Sequence, residues 1–318
     1  MGSKRKLAPK ILDYILSNNP NCKYFYDLFG GGGAISFEAL QRNQIKQVFY
    51  NELNTAVVEL LKKIRNDGIT DEFYEWIDRE TFHNLKDGND WKAGLVKTCW
   101  SFGNNSEKGY LFGKDKEEYK RLLHEVVVNK DLDCLDKFNN KFKLNLNISK
   151  MTEGTVNERR LQLQRIMTEQ VNDKSILKGF CKADENSVRC IVEQLEQIQQ
   201  LEQIQQLEQI QQLERLHISN LSYDDVKIQT PVEETIIYLD PPYENTAKYQ
   251  KETCHRELEN YINNSEYKIY VSSYEFNLPE VANWEHKSIL SATNKSKVVQ
   301  EKLFCNREEL KVKQFELF

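Results

Sequence analysis

An acid, two prolines and an aromatic close the apolar run Ile236-Ile237-Tyr238-Leu239, giving Asp240-Pro241-Pro242-Tyr243. The run reads as a short buried strand. Neither proline can donate to a ladder, so the strand must end there. Asp240 and Tyr243 are thereby presented in a rigid turn at the carboxyl end of a strand, the edge where open α/β sheets bind ligands. A plain Pro-Pro turn with Tyr243 as packing would account for an isolated motif, but two other stretches also point to a ligand. Gly30-Gly31-Gly32-Gly33 removes every Cβ where a ligand could touch backbone, and a helix N-terminus behind it adds N–H donors. Glu52 follows about twenty residues later, where an acid commonly accepts hydrogen bonds from ribose hydroxyls. Glu52 could equally serve as an N-terminal charge for a helix starting at Thr55, and only its distance from the glycines favours the ribose.

The elements that must position these residues follow from hydrophobic periodicity. Leu7, Ile11, Leu12, Ile15 and Leu16 share one helical face, with Pro9 tolerated in the first turn and Asn18-Asn19-Pro20-Asn21 as the stop. Tyr24 to Phe29 reads as a buried strand running into the glycines, and Ile35, Phe37, Ala39 and Leu40 mark the helix beyond them. Strand, glycine turn and helix open a nucleotide-binding α/β unit. Gln47–Asn54 is the next strand, and His217–Val226 a strand entering a turn. Tyr267–Ser273 is another strand, and Glu301–Asn306 with Val312–Phe318 supply an antiparallel edge pair. Between about Leu61 and Gly179 the chain is helical, charged and aromatic. There Trp100, Phe102, Asn104, Asn105, Lys108 and Lys114 form a stretch suited to base edges and phosphates, although the aromatics alone could be a buried cluster. From Glu193 to Leu216 the hexad Leu-Glu-Gln-Ile-Gln-Gln repeats. Its period of three steps apolar residues about 60° around a helix, a winding stripe and no coiled-coil seam. The segment is therefore either a helix packed on several sides, the favoured reading, or another coil such as a small solenoid.

Composition bounds the function. A chain of 318 residues suffices for one large domain or two modest ones, and no apolar run approaches the ~20 residues of a bilayer span. The basic N-terminus lacks the apolar stretch of a secretory signal. Seven scattered cysteines, an odd number without a Cys-x-x-Cys pair, read as reduced thiols in a cytoplasmic protein and suggest no metal site. A net charge of −5 argues against a nonspecific DNA coat but leaves room for a local basic face.

With these pieces in order, the chain resembles the Dam-like (D12 class) DNA adenine-N6 methyltransferases, particularly the phage type. Gly2-Ser3-Lys4, then the glycine loop, a recognition region and Asp-Pro-Pro-Tyr stand in the order of the family's α arrangement. The resemblance covers nearly the whole chain apart from the hexads. It implies a Rossmann-like α/β sheet that uses S-adenosylmethionine, with a mainly helical target-recognition region inserted. The catalytic domain would comprise residues 1–60 and 217–318, the insertion 61–192 and the repeat 193–216.

Carried over residue by residue, Lys4 would contact the cofactor's methionine end. Asp27, Phe29, Gly31 and Gly33 would shape the pocket around methionine and sulfonium, and Glu52 would hold the ribose. Asp240 and the Pro241 carbonyl would accept both hydrogens of adenine N6, with Pro242 fixing the turn. Tyr243 would stack on a base flipped from double-stranded DNA. The sulfonium is already activated, so no metal is required. A cytoplasmic monomer or weak dimer, with a cognate restriction nuclease as candidate partner, completes the expectation. The chain departs from the family in starting at Met1, with no aromatic before Gly-Ser-Lys, and in carrying Ser222 where Asp is common. Two rivals remain. An RNA or protein amide methyltransferase would usually begin the motif with Asn. A silent DNA-binding or interaction module on the same scaffold would fail to bind cofactor.

Overall fold

The computed structural model describes residue 4 and residues 7–101, 109–142, 144–148, 154–170, 214–242, 255–288 and 297–307. The chain divides into two compact units, Met1–Lys62 with Gln212–Phe318, and Lys63–Gln211.

The first unit is a seven-stranded sheet. Its strands are β1 (Tyr24–Asp27), β2 (Gln47–Asn51), β3 (Leu216–Ser219), β4 (Thr235–Leu239), β5 (Lys268–Ser273), β6 (Glu280–Ser288) and β7 (Lys297–Cys305). They lie in the order β3-β2-β1-β4-β5-β7-β6. The first five are parallel, and β7 runs antiparallel to both β5 and β6. From β1 the chain winds outward to β2 and β3, whereas from β4 it winds the other way to β5. The switch point, where a doubly wound sheet opens a crevice at its carboxyl ends, therefore lies between β1 and β4. This is the Rossmann-like α/β architecture that the sequence implies.

The central strands are buried because both faces are covered. All five residues of β4 are buried, and Tyr26, Ile237, Ile269 and Val271 share a cluster with Leu258 and Ile262. The last two belong to the helix His255–Asn264, and burying each contributes roughly 1.5–3 kcal/mol. Phe25 and Tyr238 alternate to the opposite face and stack with centroids 6.3 Å apart. The helix Ala8–Ser17 (α1), with proline in its first turn, buries Ile11, Leu12, Ile15 and Leu16, and Ala34–Leu40 (α2) follows the glycines.

Three strand expectations need correction. The edge partner of β7 is β6, Glu280–Ser288, and Val312–Phe318 lies outside the described residues. β6 escaped sequence reading because Glu280-Val-Ala-Asn-Trp-Glu-His-Lys-Ser carries few apolar residues, as suits the exposed edge of a sheet. Leu216, assigned to the hexad segment, is the first residue of β3, while repeat residues 193–213 lie outside the described residues. Strands β1 and β2 also end sooner, at Asp27 and Asn51, which leaves Phe29 and Glu52 in the loops beyond.

The second unit is helical among its described residues. Helices Arg79–Leu85 and Trp91–Cys99 start at Asp78 and Asp90, whose carboxylates accept from the amides of Thr81 (2.7 Å) and Ala93 (2.8 Å). Lys114–Asn129, Leu132–Phe142 and Val156–Gln170 follow. The buried Arg159 donates to the Val127 and Val128 carbonyls at the end of Lys114–Asn129, fastening one helix to another. No helix among the described residues is long and apolar enough to cross a membrane.

Candidate active site

Register brings three acids to one edge of the sheet. Asp27, the last residue of β1, pairs with Tyr50 of β2 and Tyr238 of β4. Glu52 and Asp240 each follow their strand's paired tyrosine by two residues. All three carboxylates thus sit at the carboxyl ends of β1, β2 and β4, around the switch point.

The glycine loop between β1 and α2 is fastened to β2. Gly30 N–H donates to the Asn51 carbonyl (2.8 Å), and Gly33 N–H to that of Gly30 (2.7 Å). Gly31 N–H donates to Glu52 Oε2 (2.7 Å), while Tyr50 Oη donates to the Gly31 carbonyl (2.6 Å). Three of the four glycine amides are therefore satisfied by protein acceptors, two of them at or just beyond the end of β2. A Cβ on Gly30 would lie 2.1 Å from the Tyr50 ring, and one on Gly33, at φ +77°, would lie 2.3 Å from Phe37. Those two glycines are imposed by packing and by backbone conformation. Gly32 differs: it is exposed, and a Cβ there meets nothing within 4 Å.

Asp27 is 2% exposed and accepts a hydrogen bond from Ser36 Oγ of α2 (2.7 Å). Burial pushes its carboxyl up to about 7. The neighbouring charges of Asp240 and Glu52 add to that push, and Ser36 opposes it. Glu52 is also raised by burial, against hydrogen bonds from Asn54 N–H (2.8 Å), Gly31 and Leu53. Phe29 stacks on Tyr223 (5.3 Å, 27°), forming an aromatic wall where β1 ends.

Asp240 is reached from the far N-terminus. Lys4 Nζ donates to Asp240 Oδ1 (3.0 Å) and to Glu301 Oε1 of β7 (2.8 Å). The Asp240 side chain is 23% exposed, against 2% for Glu301. Burial raises the Asp240 carboxyl, Lys4 lowers it, and Glu301 raises it again. Pro241 is buried and Pro242 half-buried, whereas Tyr243 lies outside the described residues.

Sequence reasoning missed several supports of the site. Asn51 Nδ2 donates to the carbonyls of Leu28 (3.1 Å) and Leu221 (3.0 Å), while its Oδ1 accepts from Ser219 Oγ (2.8 Å) and Leu221 N–H (3.1 Å). One buried amide at the end of β2 thereby joins the loop after β1 to the end of β3 and the loop beyond it. A polar side chain closing a buried strand was the available signal. Glu301 carried no signal of its own, and Ser222 donates to Asp224 Oδ1 within its own turn.

The DNA-contact candidates fare differently. Trp100 is fully buried, edge-to-face against Trp76 (5.1 Å) and Phe112 (6.3 Å), so it is core and no base-contacting residue. Its indole is consumed by the aromatic cluster that holds the start of the helix Lys114–Asn129. Lys114 opens that helix and is exposed. Phe102, Asn104, Asn105 and Lys108 lie outside the described residues.

With that geometry in place, comparison with known proteins adds two findings. A model of the D12 class N6 adenine-specific DNA methyltransferase family matches residues 1–271. No curated protein matches the chain.

Proposed function

Since the chain belongs to the D12 class of N6 adenine-specific DNA methyltransferases, we propose that Asp240 and Pro241 activate the amino group of an adenine flipped out of duplex DNA. S-adenosylmethionine is the methyl donor that membership implies, supplying a methyl group already activated on a sulfonium. The observation that carries the reading is the convergence of Asp27, Glu52 and Asp240 on the switch point of the sheet.

The residues fit the cofactor. Open space over Gly32 leaves room against the loop backbone. Glu52 Oε2 accepts from Gly31 N–H and Oε1 from Asn54 N–H, and a carboxylate with four acceptor sites keeps capacity for a ribose hydroxyl beside these and the Leu53 amide. Asp27, raised by burial and by two neighbouring acids, gains a reason to ionise when a cationic methionine end arrives. Phe29 and Tyr223 supply an apolar wall, and Gly31 and Gly33 set the loop's turn through positive φ.

Adenine N6 is a poor nucleophile because its lone pair is delocalised into the ring. Asp240 accepting one amino hydrogen and the Pro241 carbonyl the other would turn that lone pair toward the methyl group. Pro242 holds the turn, and Tyr243 is the residue whose ring would stack on the flipped base. Bound S-adenosylmethionine would supply the methyl group and retain the carbon–sulfur electron pair on sulfur. The surplus proton then passes through Asp240 to water. Alignment of nucleophile and methyl supplies much of the acceleration.

Duplex recognition falls to the helical unit, with the exposed Lys114 as a phosphate contact and Asn104 and Asn105 as base-edge candidates. A cytoplasmic location suits an enzyme acting on DNA. The test is to incubate the protein with S-adenosylmethionine labelled in its methyl group and with duplex or single-stranded DNA, and to resolve the nucleosides. The reading expects label in N6-methyladenine and preference for duplex. Label in cytosine, or equal use of both strands' forms, would overturn it.

A further inference from the structure

We propose that Glu301 is a positioning residue for methyl transfer, its buried carboxylate anchoring the Lys4 ammonium against Asp240. The inference rests on the reading of Asp240 as the group that activates adenine, and it concerns a residue beyond the family match, which ends at residue 271.

The argument begins with the sheet. Leu239 of β4 pairs with Val271 of β5, so Asp240 falls beside Ser272 at the same level. Ser272 pairs with Leu303 of β7, which brings Glu301 to that edge from the antiparallel side. Ser272 Oγ donates to Glu301 Oε1 (2.8 Å), and Lys4 Nζ donates to the same oxygen (2.8 Å) while also reaching Asp240 Oδ1 (3.0 Å).

Two carboxylates thus share one ammonium, and their settings are opposite. Glu301 is sealed, with 2% of its side chain exposed and two donors converging on one oxygen. Asp240 keeps 23% of its side chain exposed, so its carboxylate stays open for a ligand. A carboxylate buried to that degree is stable only when paired and hydrogen-bonded. Lys4 is therefore held from behind, and its position fixes which edge of Asp240 faces the base. Without the rear anchor, a four-carbon stem at the N-terminus would place the charge over a wider range. Displacement of a catalytic group by about 1 Å costs up to about 10²-fold in rate.

Among the described residues, the charged and titratable groups around Asp240 are Lys4 before α1, Glu301 on β7, Asp27 on β1, Tyr238 on β4 and Tyr274 after β5. Of these, Glu301 pushes the Asp240 carboxyl up and Lys4 pulls it down. Removing the Glu301 charge therefore lets Asp240 ionise at lower pH.

The experiment compares wild type with Glu301→Gln, Lys4→Met, the double variant and Asp240→Ala, reading kcat, KM for S-adenosylmethionine and the pH profile of kcat. Gln keeps the shape of Glu and can still accept from Ser272. Glu301→Gln is expected to lower kcat by up to about 10²-fold with a smaller change in KM, and to move the acid limb of the profile to lower pH. In the Lys4→Met background it should add no further loss of kcat, because Glu301 positions Asp240 through Lys4. Wild-type kcat and acid limb in Glu301→Gln, or full additivity with Lys4→Met, would overturn the inference. If Glu301→Gln alone does not fold, the double variant, which buries neither charge, is compared with Lys4→Met: equal kcat supports the inference and a further loss overturns it. Wild-type turnover in Asp240→Ala would instead sink the underlying reading of the site.

Discussion

At the scale of single residues, packing separates Gly30 and Gly33, where the fold leaves no room for a Cβ, from Gly32, where it does and where we propose the cofactor lies. Gly33→Ala forces a methyl to within 2.3 Å of Phe37 at φ +77°, and so should destabilise the protein. Gly32→Val meets no protein atom within 4 Å at its Cβ, and should leave the melting temperature near that of wild type while abolishing cofactor binding in calorimetry. Unchanged affinity in that variant would place the cofactor elsewhere. Asp27 yields a pH signature. Its carboxyl is raised to about 7 from an unfolded value near 3.9, so its stabilising contribution is complete below the unfolded value. That contribution is lost as pH rises toward 7. Asp27→Asn removes the titration, and the stability gap between wild type and variant should close or reverse by up to roughly 4 kcal/mol between pH 4 and pH 8. Parallel stability curves for the two proteins in denaturant across that range would contradict the burial argument.

At the scale of elements, Asn51 at the end of β2 is a junction beside the crevice, since its amide bonds the loop after β1, the last residue of β3 and the loop beyond it. Asn51→Ala leaves buried carbonyl and amide partners unpaired, at about 1–3 kcal/mol for each. A fall in the denaturant midpoint together with weaker cofactor binding is expected, and an unchanged midpoint would show the clip to be idle. The central strands were legible because β1, β4 and β5 are apolar runs ended by glycine, proline or serine. β6 was illegible because an exposed edge strand needs no hydrophobic alternation. The placement of Asp240, Glu52 and the glycine loop at strand ends was legible because the stop of a strand is local to its sequence. Glu301 was not, since its role depends on Lys4, 297 residues away in sequence, and only the folded sheet brings the two together. Trp100 misled for a related reason: an aromatic beside amides reads the same whether it faces solvent or core, and here it faces core.

At the scale of the whole molecule, the chain combines a sheet unit that carries the acids with a helical unit that carries Lys114. With a net charge of −5, DNA affinity is expected to come from local basic contacts. Lys114→Ala should weaken binding equally on all sequences and reduce the salt dependence by roughly one counterion. A loss confined to one sequence would assign it to base readout. The central claim, that Asp240 activates adenine within a site that binds cofactor and DNA by other groups, is tested most directly by single-turnover methylation with Asp240→Ala beside wild type. The account predicts a rate lower by about 10²–10⁴-fold, with affinities for S-adenosylmethionine and duplex DNA largely kept. A variant that methylates at the wild-type rate, or that loses turnover only because it no longer binds cofactor, would contradict it.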